Sequence, residues 1–551
     1  MTEPYQPPVT EGALRRPYQS STDIAPVPAL LERRNPRAPA RNLQPLHASP
    51  RPYHLLRTWL AAFGILFVAA AAWSFASPLG SAPDEPAHLD RAASLVRGEL
   101  LGKPIPHATE AQKSTVTVEV PQVFASLAND VGCFQFKPAV PAGCQGPLST
   151  STKDVATRTY VGRYPPFYYF LVGLPTLVLV SAKGIYGARL VSGALSAAML
   201  ALAVTSLRRC RGAPLLAAGL ALAATPMVLY LGSIINPTGL EIASAISAWT
   251  AAMALASEPS EEVNASAVAV LGVSIIAVML TRVLSPLWTV FIAATFIAIG
   301  PATSVPALFR RSRVRAWFAA CVVAGLVAVT WDLAADAFAT EPGTPLPAGT
   351  TGPHIVVLAV ERLDLLVTSS IGQFGWLSTP SPYGIIVAWL GALGTVVLVA
   401  VCLARRRGAA TLLGNLLAWL VVPVALAVAE ARKDGILGQG RDYMGLAVGI
   451  PIVAAVVAGQ RFVDRRTTLR LATVIVTVLA ACQVGDFYAA LRRNTVGING
   501  PIDAFASVAN VWHPPVPAPV LVIVFTAAMV AFALVLRSAA FAQPQNRADD
   551  L

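Results

Sequence analysis

Charge is what this chain has least of: Asp, Glu, Lys and Arg make up only 13% of its 551 residues. With 55% hydrophobic residues and a mean hydropathy of +0.61, that scarcity excludes an ordinary soluble protein and leaves a polytopic membrane protein. No stretch between the apolar runs is long enough for a soluble domain of ordinary size. No internal repeat is evident, nor an inverted pair of broken segments of the kind transporters carry. No small-residue cleavage site follows the first apolar run, which reads as a retained anchor rather than a signal peptide. Residues 1–57, rich in Pro and Arg and without helical period, read as a disordered tail.

Cysteine is also sparse, at six residues. Four lie in or beside apolar segments and read as packing residues. Cys133 and Cys144, in "CFQFKPAVPAGC", share a polar loop. A disulfide between them is expected in an oxidising compartment, with two unpaired thiols as the alternative.

The net charge of +12 is placed in a way that argues against nucleic acid. Residues 1–57 carry eight Arg against four acids, and short turns hold most other clusters: "RRCRG" (208–212), "FRRSRVR" (309–315), "ARRRG" (404–408) and "RFVDRR" (461–466). Segment 77–165 balances eight basic against eight acidic residues, and 334–383 is net acidic. By the positive-inside rule the tail and Arg turns face the cytoplasm and the long loops face outward.

Thirteen apolar segments are candidates for crossing: 58–76, 166–182, 185–207, 213–234, 238–256, 264–281, 284–301, 316–333, 384–404, 409–430, 443–459, 468–485 and 518–537. If all crossed, every Arg cluster from 208 onward would lie outside. Removing 166–182, which is short, aromatic at its start and broken by Pro175, repairs all four. It reads as a re-entrant or interfacial helix. Twelve crossings remain in a transmembrane domain over 58–537, with both termini cytoplasmic. The outer face then holds loops 77–184 and 334–383, and 538–551 forms a cytoplasmic tail.

All the unusual polar motifs fall on that outer face. "SAPDEPAHLD" (81–90) places Asp84, Glu85 and His88 where the first helix leaves the bilayer. One reading is helix capping around Pro86 with solvated charge. The other is a carboxylate acting as general base on an acceptor hydroxyl, or holding a divalent cation. "GRYPPFYYF" (162–170) puts Arg163 and Tyr164 before a double proline, as a rigid turn with an aromatic belt or as a basic lip for a lipid phosphate. "NPTGLE" (236–241) brings Asn236 and Glu241 to a helix–helix turn, where Asn-Pro alone is an ordinary turn signal. In "SSIGQFGWLS" (369–378), Gln373 and Trp376 suit either a sugar pocket or interface packing. "GQGRDYMG" (438–445) offers Arg441 and Tyr443 at the outer end of a crossing, where an arginine snorkels or takes a phosphate bidentately.

In this order, "PDEPAH", "CFQF…AGC", "YPPFYY", "NPTGLE", "IGQFGW" and "GQGRDY" resemble the membrane-protein family called domain of unknown function 2142, grouped with the GT-C fold glycosyltransferases. The resemblance covers roughly residues 58–515. It implies an all-α polytopic, GT-C-like enzyme that uses a polyprenyl-phosphate-linked sugar at the extracytoplasmic face. It also implies that Asp84 and Glu85 are catalytic or bind metal. The chain departs from the more usual "QGRY" by having "QGRDY".

The expected function is transfer of a sugar from a polyprenyl-phosphate donor to a cell-envelope polysaccharide or glycolipid, in a bacterial cell membrane. Asp84 and Glu85 would deprotonate the acceptor, with or without magnesium or manganese. Arg163 and Arg441 would hold the leaving phosphate, and Gln373 and Trp376 would touch sugar. The competing readings are a flippase for lipid-linked saccharides and a non-catalytic envelope assembly protein.

Overall fold

The computed structural model describes residues 52–107, 114–208, 213–257, 265–300, 304–338, 345–436, 438–461, 464–503, 505 and 511–541. Residues 1–51 and 542–551, which hold most of the two expected tails, lie outside them.

Helix α1 (Pro52–Ala76) begins six residues before the apolar run at 58. A sharp elbow leads to α2 (Glu85–Val96), whose Pro86 stands in the first turn, where a missing N–H costs nothing. A small antiparallel sheet follows in the order β1 (Lys103–Pro104), β2 (Val116–Pro121), β3 (Asp154–Thr159). Its longer pair runs from Val116 opposite Thr159 to Pro121 opposite Asp154. The alternating burial of β2 turns Val116, Val118 and Val120 inward, onto the cluster that holds Leu89, Ala92 and Ala93 of α2.

Helix α3 (Pro166–Val178) has 13 residues, about 20 Å of helix, which is too short to cross a bilayer. Tyr168, Tyr169 and Val172 are buried against α2, while Phe167, Phe170 and Leu174 are exposed. Gly173 makes this packing possible, since a β-carbon there would lie 2.3 Å from the carbonyl oxygen of Ala92. Helix α4 (Ala182–Leu207) follows almost at once and packs along α1.

The remaining helices are α5 (Ala213–Ala223), α6 (Pro226–Gly232), α7 (Pro237–Ser257), α8 (Ala265–Met279), α9 (Ser285–Ile299), α10 (Ser312–Ala334), α11 (Tyr383–Leu403), α12 (Arg406–Asp434), α13 (Gly449–Gly459), α14 (Arg465–Val496) and α15 (Ala518–Phe541), with short helices between some of them. A two-stranded hairpin, β4 (Gln373–Phe374) with β5 (Thr379–Pro380), precedes α11.

Twelve crossings were expected. Among the described residues nine helices are long and apolar enough to cross, and α5 with α6, bent by 62° at its break, makes a tenth if the pair is one span. Helices α8 and α9 have 15 residues each.

Helix α7 is buried all round, whereas α10, α11 and α12 expose rows of Val, Leu and Phe, as lipid-facing helices do. Near the elbow the core closes on Trp73, ringed by Tyr230, Phe374, Phe487 and Phe525 at centroid distances of 5.0–6.0 Å. This aromatic knot gives the elbow between α1 and α2 a rigid floor.

Candidate functional site

Asp84 is the N-cap residue of α2, yet its side chain makes no capping hydrogen bond. The backbone there is left-handed, with φ of 62°, a conformation that Asp tolerates better than most residues. The carboxylate is aimed elsewhere. Oδ1 accepts from the Tyr160 hydroxyl at 2.6 Å, and Oδ2 accepts from an Arg441 amino group at 2.5 Å. Burial pushes the carboxyl up, but Arg441, His88 and the Tyr160 hydrogen bond together bring it below the usual carboxylate range. Asp84 is therefore ionised at neutral pH. Its side chain keeps 18% exposure.

Glu85 is the opposite case. Its side chain has no exposure and meets Arg189 of α4 as a fork, Nε to Oε1 at 2.7 Å and an amino group to Oε2 at 2.6 Å. The backbone N–H groups of Gly80 and Ile235 also donate to it. Arg189 spends its remaining donors on the carbonyls of Ser74, Ser77 and Pro78, where α1 ends. A buried ion pair is tolerable only when its hydrogen bonds are this complete. The pair ties the end of α1, the start of α2 and the turn before α7 to α4.

His88 lies one turn along α2 from Asp84, and its Nδ1 is 2.8 Å from the Tyr169 hydroxyl. Burial lowers its pKa to about 3; Asp84 opposes the shift, while Arg441 and Arg282 add to it. The ring is neutral at physiological pH.

Two further acids complete the arrangement. Glu241, at the start of α7, accepts from Ser285 at 2.7 Å and from the Trp288 indole at 2.8 Å. Arg282 joins it at 3.5 Å and also reaches Asp442 at 3.3 Å. Asp442 closes a capping box with Gln439 at the short turn Gly440–Tyr443. Arg441 and Asp442 thus point to different partners, one to α2 and the other to the turn before α9.

Residues 66–450 match the family model described as predicted membrane protein, domain of unknown function 2142. The chain belongs to that family. Among solved structures, ArnT from Cupriavidus metallidurans bound to undecaprenyl phosphate is similar over 89% of this DUF2142 chain and 78% of its own, at 13% identity and a TM-score of 0.41. The oligosaccharyltransferase of Archaeoglobus fulgidus in the apo form is similar over 82% of this chain, which spans 57% of that structure, at 13% identity and a TM-score of 0.31. Scores of this size carry no residue correspondence. No curated protein matches the chain.

The other residues singled out in this DUF2142 sequence have varied placements. Arg163 pairs with Asp336 at 2.9 Å, and its carbonyl accepts from the Trp331 indole, so it belongs to the end of α10 rather than to the Asp84 pair. Tyr164 lies 6.3 Å from His88 between ring centroids, and its carbonyl accepts from Arg91. Asn236 donates to the Pro83 carbonyl and accepts from the Thr238 N–H, holding the elbow against the start of α7. Gln373 donates to the Leu377 carbonyl across its own hairpin. Trp376 donates to the Gly80 carbonyl and meets Phe136 edge to face. Tyr443 is buried in the main core.

The disulfide is present between Cys133 and Cys144, with Cα atoms 6.1 Å apart. It packs with Val131, Phe134 and Trp376 beside the elbow.

A divalent cation does not fit the two carboxylates expected to hold it. Each is already answered by a guanidinium, Arg441 for Asp84 and Arg189 for Glu85. Among the described residues no three His, Cys, Asp or Glu side chains come together as a metal site.

Tyr160, Tyr169, Arg189 and Arg282 are site residues that sequence reasoning passed over. Arg189 and Arg282 carried a signal: each is a lone charge next to an apolar run, the kind of residue that is seldom idle in a membrane protein. The tyrosines carried none, because an aromatic belt accounts for them equally well.

Proposed function

We propose that this protein is a membrane glycosyltransferase that moves a sugar from a polyprenyl-phosphate donor to a hydroxyl of a cell-envelope polysaccharide or glycolipid, with Asp84 as general base. The observation that carries this reading is the contrast within one dipeptide. Glu85 is sealed and saturated by Arg189, while Asp84 is ionised, 18% exposed and turned away from the helix it could cap.

In the proposed reaction the acceptor oxygen attacks the anomeric carbon, the bond from that carbon to the phosphate oxygen breaks, and the acceptor proton passes to Asp84. The polyprenyl phosphate leaves with the electron pair. Arg441 serves two anions in turn. An incoming phosphate competes with Asp84 for the guanidinium, and as Arg441 swings toward it the carboxylate loses its cation and becomes a better base. The same move stabilises charge on the leaving group. No metal is needed for these steps.

Glu85, Arg189, Asn236, Glu241, Gln373 and Tyr443 are assigned to the frame, because each is engaged by protein partners or core packing. Tyr164, beside His88, and Trp376, against Phe136, are the aromatic rings proposed to touch sugar. His88, neutral and bound to Tyr169, positions α2 against α3 rather than exchanging protons. The charge distribution supports an extracytoplasmic site with both termini cytoplasmic.

The test is turnover by the full-length protein in nanodiscs, supplied with radiolabelled polyprenyl-phosphate sugars and a membrane glycolipid fraction. Release of polyprenyl phosphate by wild type, and its loss in Asp84→Asn, is expected. Equal release by wild type and Asp84→Asn would sink the assignment and favour a flippase or assembly role.

A further inference from the structure

The turn at Gly440 and helix α13 form one spanning unit, Gly440–Gly459, about 30 Å long, so its C-terminal residues lie a membrane's width from Arg441. At that far end a cavity of about 410 Å3 opens where α9 and α13 end and α12 begins. Arg405, Arg407, Arg461 and Gln460 supply its polar lining, and Ile299 and Val457 its apolar lining. Among the described residues no carboxylate lines it.

The three guanidinium groups are not equivalent. Arg407 donates to the carbonyls of Ala298 and Ile297, which holds it over the end of α9. The side chains of Arg405 and Arg461 make no hydrogen bond or ion pair with any described residue. Asp464, the acid nearest to Arg461 in sequence, is spent accepting from the N–H groups of Arg466 and Thr467 at the start of α14. Three like charges around one volume raise the local potential, and a counter-anion lowers it. A phosphate suits the planar fork of arginine. Beside the cavity, Ile297 of α9 and Leu413 of α12 are more than half exposed, an apolar flank that an acyl chain would cover.

We propose that this cavity binds the phosphate head group of an anionic membrane lipid, with Arg405 and Arg461 as its ligands. The site is independent of the glycosyltransferase reading. It belongs to the opposite end of the bundle, and the apolar flank favours a lipid over free phosphate.

Native mass spectrometry of the full-length protein in detergent, titrated with phosphatidylglycerol or phosphatidylcholine, tests it. Phosphatidylglycerol should be retained in preference, and Arg405→Ala with Arg461→Ala should weaken its retention about tenfold or more. Arg310→Ala with Arg313→Ala, which removes arginines outside the cavity, should leave it unchanged. Should the first double variant misfold, Arg461→Glu alone gives the same readout. Equal retention of both lipids, or equal loss in the two double variants, would overturn the proposal. Inorganic phosphate that binds alone and is not displaced by phosphatidylglycerol would overturn the lipid source.

Discussion

Arg441 reaches back across 357 residues of chain to donate to Asp84, and Tyr160 holds the other carboxylate oxygen. Two residues from distant motifs therefore form one ion pair at the head of α2, and the side chain best placed to cap that helix does not cap it. Asp84 keeps 18% side-chain exposure in this pair, while Arg441 is buried. Its neighbour, Glu85 with Arg189, is closed. Much of what the site is expected to do follows from that difference.

Asp84→Asn keeps the shape and removes the charge. Sugar transfer should fall by about 10²–10⁴-fold while the protein still folds and binds polyprenyl phosphate, as read from turnover and binding on the same preparation. Wild-type turnover would return Asp84 to a structural role.

Glu85→Gln should act on stability instead. It leaves Arg189 buried without its counter-charge, a loss of about 3–5 kcal/mol, read as a large fall in Tm in detergent. Asp84→Asn in the same assay should shift Tm less, because the Asp84 side chain is 18% exposed whereas Glu85 has no exposure. If the two shifts were reversed, the division between reactive and structural carboxylate would be reversed with them.

The two arginines expected to hold phosphate should separate. Arg441→Ala should weaken polyprenyl-phosphate binding about tenfold or more, the size of one charge-assisted contact. Arg163→Ala removes a pair whose partner, Asp336, is 74% exposed, and should cost at most about 1 kcal/mol in stability with little effect on binding. Isothermal titration of both variants with the same lipid decides it.

Reducing the Cys133–Cys144 bridge reopens a loop of separation 11, and chain entropy puts the loss at about 3 kcal/mol. The loop packs on Trp376, which bonds to Gly80 at the elbow, so the effect should spread to the site. A lower Tm under dithiothreitol, abolished in Cys133→Ser with Cys144→Ser, is the expected result.

Asp90 offers a pH test apart from catalysis. It is buried on α2 with one long hydrogen bond from Thr157, and burial raises its pKa from 3.8 to about 8. Folding then takes up a proton between those values, so stability falls as pH rises through that window. Asp90→Asn removes the slope. Its advantage over wild type should grow from pH 4 to pH 8 in thermal unfolding, and a constant difference would show that Asp90 does not titrate there.

Membrane class, the apolar segments, the non-crossing segment before 185 and the disulfide pair were legible in the sequence, because composition, length and charge parity are properties of the chain itself. The ordered motifs also hold two residues that the fold pairs: Asp84 and Arg441 stand in "PDEPAH" and "GQGRDY". What the letters left undivided was the role of each residue within a motif. Asp84 and Glu85 are adjacent carboxylates with the same local context. Only the left-handed backbone at Asp84 and the approach of α4 leave one part-exposed against Arg441 and seal the other against Arg189. Arg189 and Tyr160 acquire their meaning the same way, through contacts 104 and 76 residues away. The length of α8 and α9 was also decided late, since hydropathy measures how well a residue suits lipid and says nothing of where the backbone stops being helical. Burial, pairing and reach depend on which helices pack together, and that is settled only when the whole bundle closes.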